Sequence, residues 1–199
     1  EAAAAMLDEG TKRRSKRVLR EELDRIGASV DFTCDNYRTH FSAQSPLKET
    51  RRVVEIIAEI LREPVFPAAD FTVLKNRLTG ESMQARENTA LLASRRMLTR
   101  LYPRRHPNYD EEPGEELKLI SRLEKTDLAR FHTNVYGLGS MRVAVAGDLS
   151  GSNIDTHLKN SFSGWRMSGS QALPPIGNAF PGVSARDEFI PVADKANVD

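Results

Sequence analysis

Between residues 28 and 62 the spacing of apolar side chains changes once, from every second residue to helical spacing. Ala28, Val30, Phe32 and Cys34 alternate with Ser29, Asp31 and Thr33, the pattern of a strand with one buried face. Asp35-Asn36 supplies turn chemistry, and Tyr37, Thr39, Phe41 and Ala43 then alternate with Arg38, His40, Ser42 and Gln44. The pair reads as a β-hairpin. Val53, Val54, Ile57, Ile60 and Leu61 next form one wide apolar face, with Lys48, Arg51, Arg52, Glu55, Glu59 and Arg62 over the remainder, so 46–62 reads as an amphipathic helix ended by Pro64. A one-sided sheet and a one-sided helix bury their apolar faces by covering each other, which points to an α+β fold, an antiparallel-rich mixed sheet covered by helices.

Helices are expected on both sides of this unit. Ser15 as N-cap and Gly27 as stop bound a helix carrying Val18, Leu19, Leu23 and Ile26. Pro67 opens a long helix through Phe71, Leu74 and Leu78; Asn88-Thr89 interrupt it, and 90–102 resumes with Leu91, Leu92, Met97, Leu98 and Leu101. A short helix over 114–123 precedes one capped by Thr126 with Leu128, Phe131, Val135 and Tyr136 inward, and a last helix is expected at 152–162. The valine-rich run 140–148 reads as a central strand. Phe32, Phe41, Ile57, Leu61, Val143 and Val145 are therefore expected to share one core. Residues 168–184 hold three Pro and three Gly, a linker composition, and Asp187 to Val192 could begin a further strand.

Composition removes several functional classes. Twenty-nine Lys plus Arg against 28 Asp plus Glu leave a net charge of +1, so no global field favours nucleic acid. The basic run Lys12-Arg13-Arg14-Ser15-Lys16-Arg17 is followed by Glu21, Glu22 and Asp24, which reads as a mixed solvated face. No apolar run approaches the ~20 residues of a membrane span. Cys34 is the single cysteine, compatible with a cytoplasmic or a periplasmic home, and it lies on the Val30/Phe32 face as a small core residue rather than a nucleophile. His40 falls on the polar face of its strand, and His106 and Tyr109 are expected to pin the proline-broken loop 102–109 rather than hold a metal. Gly147-Asp148 matches neither phosphate-loop pattern. The chain begins without Met and inside an apparent helix, which reads as a piece of something longer.

The first eleven residues, Glu1-Ala2-Ala3-Ala4-Ala5-Met6-Leu7-Asp8-Glu9-Gly10-Thr11, read as a buried helix end stopped by Gly10. They are similar to the segment H-x-x-E-H, an apolar residue, then Gly-Thr, of the pitrilysin/insulinase (mitochondrial-processing-peptidase-like) family of zinc metallopeptidases. In that motif two His at i and i+4 share a helix face and converge on one ion, while the Glu between them reaches the zinc-bound water. The first ligand position falls here on Glu1, the general base on Ala4 and the second ligand on Ala5; the family's third ligand falls on Glu81. Leu23-Asp24-x-x-Gly27-Ala28, Arg62-Glu63-Pro64-x-Phe66, His106-Pro107 and Ala146-Gly147-Asp148 also fall where the family places such residues, so the resemblance spans roughly 1–165.

What the resemblance implies is a degenerate half lacking H-x-x-E-H, with its N-terminal strands missing, organised as a first α+β subdomain over 1–166, a linker over 167–186 and the start of a second subdomain over 187–199. Such a half has no catalytic residue, no zinc of its own and a vestigial ligand position at Glu81. It would wall a peptide-substrate chamber and pair with a zinc-bearing half, in the same polypeptide or as a separate subunit, or else serve as a structural or assembly subunit. A site rebuilt from Glu1, Glu81 and a nearby histidine would favour a hard, weakly held cation over zinc.

Overall fold

The computed structural model describes residues 1–165 and 187–192; the expected linker over 167–186 therefore lies outside the described residues. The chain forms two compact units, one from Glu1–Phe71 together with the described residues 124–165, the other from Thr72–Leu123 together with the described residues 187–192.

In the first unit, α1 (Lys16–Ile26) starts at Ser15, whose hydroxyl accepts the Val18 N–H, and stops at Gly27, which adopts φ +66, a left-handed conformation that costs glycine least. The hairpin of β1 (Ser29–Cys34) and β2 (Thr39–Gln44) follows, antiparallel and with Phe32 opposite Phe41. Its turn is locked by Asp35, whose Oδ1 accepts the N–H groups of Tyr37 and Arg38, each at 2.7 Å. Val30, Phe32 and Cys34 are half-buried while their neighbours are exposed, so the two-residue alternation is realised. Then comes α2 (Thr50–Arg62), in which everything from Ile56 to Leu61 is buried. Helix α2 is thus more than amphipathic, being enclosed on most sides by α1, the hairpin, the turn Ala4–Glu9 and, after α6 (Lys125–Val135), by α7 (Ile154–Phe162). Leu7, Leu19, Leu23, Val53, Ile56, Ile57, Ile60, Leu61 and Phe162 form the core.

Three expectations are corrected here. Residues 141–146 belong to no helix or ladder, and Val143 and Val145 are 37% and 43% exposed, outside the core of Ile57 and Leu61. A valine-rich run becomes a strand only beside a neighbour that accepts its backbone hydrogen bonds, and the hairpin is the one sheet among the described residues. Phe131 is 48% exposed and His132 points inward instead. The N-cap of α6 is Glu124 rather than Thr126: Asp127 Oδ2 accepts the Glu124 N–H at 2.9 Å, and the Thr126 hydroxyl donates to Glu124.

The second unit is helical: α3 (Ala68–Ala85), most of which lies here, α4 (Thr89–Leu101) and α5 (Pro113–Arg122). Asn88 caps α4 by accepting the Leu91 N–H at 3.0 Å. Lys75 on α3 donates to the Ser121 and Leu123 carbonyls at 2.7 and 3.1 Å, closing the C-terminal end of α5 where a cation is favoured. Buried Ser82 donates to the Pro113 carbonyl at 3.2 Å. Helix α4 is held mainly through arginine: Arg95 pairs with Glu116 (2.7 Å) and Asp110 (3.4 Å), Arg96 with Glu112 (3.1 Å) and Glu188 (3.4 Å), and Arg100 with Glu188 (3.1 Å). Asp187–Val192 belongs to no strand, and Phe189 is 87% exposed.

Candidate functional site

The motif segment is a short 3-10 helix, Ala4–Glu9, seated on the core by Met6 and Leu7. The Ala5 N–H donates to the Glu1 carbonyl at 3.0 Å, so positions 1 and 5 stand one α-turn apart, the backbone arrangement that two ligands would need. The side chains supply other chemistry. Ala5 offers a methyl, Ala4 at the general-base position is buried, and Glu1 is exposed. A methyl has no lone pair and no exchangeable proton, so the residues at 1, 4 and 5 do not fit a tetrahedral zinc with a base beside it. Glu81 stands on α3, more than half exposed, and pairs with Arg77 one turn earlier at 2.7 Å. Among the described residues, no group of three or more His, Cys, Asp or Glu side chains is placed to hold a metal ion.

Three of the four histidines have structural partners. His40 donates Nε2–H to Asp35 at 2.9 Å, and this bond, with the turn N–H groups of Tyr37 and Arg38, pushes the Asp35 carboxyl down to about 2. Buried His106 accepts the Asn108 N–H at 3.0 Å and stacks on Tyr102, so it pins its loop as expected. His132 donates Nε2–H to the Leu61 carbonyl at 2.8 Å and stacks on Tyr136, whose hydroxyl meets Thr39 at 2.6 Å.

Directly behind the motif lies a feature that periodicity did not reveal. Thr11 donates its hydroxyl to Glu59, and Arg14 spans Glu59 and Glu22, while Arg52 pairs with Glu22 from α2. Glu59 and Glu22 are each 9% exposed. Burial alone raises a carboxyl; here the hydrogen bonds of Arg14 and Thr11 to Glu59, and of Arg52 and Arg14 to Glu22, outweigh it and hold both below the usual range. Arg14 is correspondingly raised, chiefly by Glu59. Arg14 therefore leaves the solvated face assigned to the basic run, whereas Arg17 pairs with Glu21 at the surface as expected. The available signal was Glu59 itself, a charge flanked by Ala58 and Ile60 in the stretch of α2 that is buried throughout.

A hairpin and helix layer packs with the segment 1–11, whose positions 1, 4 and 5 carry Glu, Ala and Ala, in an α+β scaffold. The family model of insulinase, peptidase family M16, matches residues 4–106, and the chain belongs to this family. No curated protein matches. Among solved structures, the chain is similar to the peptidase M16 inactive domain from Pseudomonas fluorescens, with TM-score 0.69 and 23% identity over 81% of this chain and 40% of that one. It is also similar to a protease from Helicobacter pylori, with TM-score 0.67 and 18% identity over 88% of this chain and 43% of that one. The chain thus spans less than half the length of either structure, and at these identities the likeness is one of fold. Among the described residues no helix is long and apolar enough to cross a membrane.

Proposed function

We propose that this chain belongs to the non-catalytic half of a zinc metalloendopeptidase, where it walls the chamber that encloses peptide and joins a half retaining H-x-x-E-H. The observation that carries this reading is the coexistence of a kept scaffold with Glu1, Ala4 and Ala5 at the motif positions: the turn, its core anchors Met6 and Leu7, and α2 behind it are all present. The likeness to an inactive domain of the same family supports it. No step of hydrolysis is assigned to this chain, because position 4 offers no base and position 5 no lone pair. Zinc and the attacking water belong to the partner half.

The test is hydrolysis of quenched peptides by the isolated chain, by the isolated H-x-x-E-H half and by the two together, with a chelator control. Activity is expected only in the mixture and is lost with chelator. Chelator-sensitive cleavage by the chain alone would overturn the proposal. A partner equally active without this chain would reduce it to a structural or assembly subunit.

A further inference from the structure

A cleft of ≈ 340 Å³ opens in the first unit where two chain segments leave the core side by side. The Lys12 N–H donates to the Glu63 carbonyl at 3.0 Å and the Val65 N–H to the Gly10 carbonyl at 3.1 Å, so 10–12 and 63–65 run antiparallel, with Thr11 opposite Pro64. Lys12, Arg62, Phe66, His132, Thr133 and Trp165 contribute to the lining. Phe66 has φ +48, a conformation that bulky residues rarely adopt, yet its ring is 3% exposed and meets His132 edge-on at 6.0 Å. His132 is itself fixed by the Leu61 carbonyl and by Tyr136, so the inner wall is rigid and aromatic.

The charges in this cleft are unbalanced. Arg62 Nη1 donates to the Ser161 carbonyl at 2.7 Å, and neither Arg62 nor Lys12 has a carboxylate partner among the described residues. The Glu63 carboxylate is taken by Arg13 at 3.3 Å. Two cations thus stand beside two aromatic rings in a volume at the lower end of the roughly 300–1,000 Å³ typical of ligand sites, enough for one or two amino-acid residues. We infer that this cleft binds the C-terminal carboxylate of a peptide ending in an apolar residue, Lys12 and Arg62 meeting the carboxylate and Phe66 and Trp165 the side chain. Glu63 beside them disfavours a dianion such as phosphate more than a single carboxylate. The inference stands independently of the proposed pairing with a catalytic half.

Trp165 is the only tryptophan of the chain, so its fluorescence reports occupancy. The chain is titrated with N-acetyl-Ala-Phe as free acid, with the same dipeptide as C-terminal amide, and with inorganic phosphate. The acid is expected to give a saturable change, with the amide about tenfold weaker, as for loss of a charge-assisted hydrogen bond, and phosphate no competitor. Lys12→Met, at an exposed position that leaves the core intact, is expected to weaken the acid several-fold and leave the amide unchanged. No saturable change with the acid, equal binding of acid and amide, competition by phosphate, or an unchanged acid affinity in Lys12→Met would each overturn the inference.

Discussion

Replacing Arg14 with methionine keeps most of the side-chain volume and removes the cation that two buried glutamates share. Arg14 donates Nε to Glu59 at 3.2 Å and contacts Glu22 through its guanidinium, with side chains exposed by only 14% (Arg14), 8% (Glu59) and 9% (Glu22), so solvent screens the network weakly. Glu22 keeps Arg52, whereas Glu59 is left with the Thr11 hydroxyl. One buried carboxylate then lacks a guanidinium, and breaking such a pair costs about 3–5 kcal/mol. With Thr11 still donating, the lower end is expected, about 3 kcal/mol at pH 7. The pH dependence has a definite sign. In the native protein both carboxyls lie below the ordinary value of 4.5, so their stabilisation is complete above that pH and lost as pH falls through the lower native values. In the variant, burial without Arg14 raises Glu59, and acid neutralises the stranded charge. The stability gap between native and variant should therefore narrow from pH 7 to about pH 4. Urea unfolding followed by Trp165 fluorescence reads the unit that contains the network. A loss below about 1 kcal/mol at pH 7, or a gap that widens on acidification, would show that Glu59 does not depend on Arg14 for its charge.

Leu61→Ala should cost about 2–5 kcal/mol in the same assay, because Leu61 is 5% exposed within the core of the first unit; a cost below one would mean that α2 is not enclosed. Val145→Ser should change stability by less than about 0.5 kcal/mol, as an exposed position outside any ladder, and a larger loss would show that residues 141–146 are paired. Glu81→Gln should also stay within about 1 kcal/mol, since it removes only an exposed ion pair with Arg77; a loss of several kcal/mol in thermal or urea unfolding would give Glu81 a buried role.

Local signals made much of this fold legible. Ser15 and Gly27 bound α1 because capping is decided by a residue and its immediate neighbours, and the hairpin was readable because alternation and Asp35-Asn36 agree. The failures come from partners distant in sequence. Residues 140–148 have strand composition, yet whether they form a ladder depends on a neighbouring strand that their own spacing cannot supply. Phe131 and His132 are adjacent, so a small rotation of α6 decides which faces inward, and the Leu61 carbonyl, 71 residues away, favours the histidine. Arg14 reads as one of several surface cations because Glu59 lies 45 residues on. The left-handed Phe66 has no sequence signature of its own.

With Glu1, Ala4 and Ala5 at the motif positions, this chain is expected not to support zinc chemistry. Elemental analysis of the chain, purified without chelator and then equilibrated with a slight excess of zinc before desalting, tests it most directly. Far less than one zinc per chain is expected, with unchanged content in Glu81→Gln, because Glu1, Ala4 and Ala5 cannot assemble a tetrahedral donor set. One tightly held zinc per chain, lost on substitution of Glu81, would contradict it.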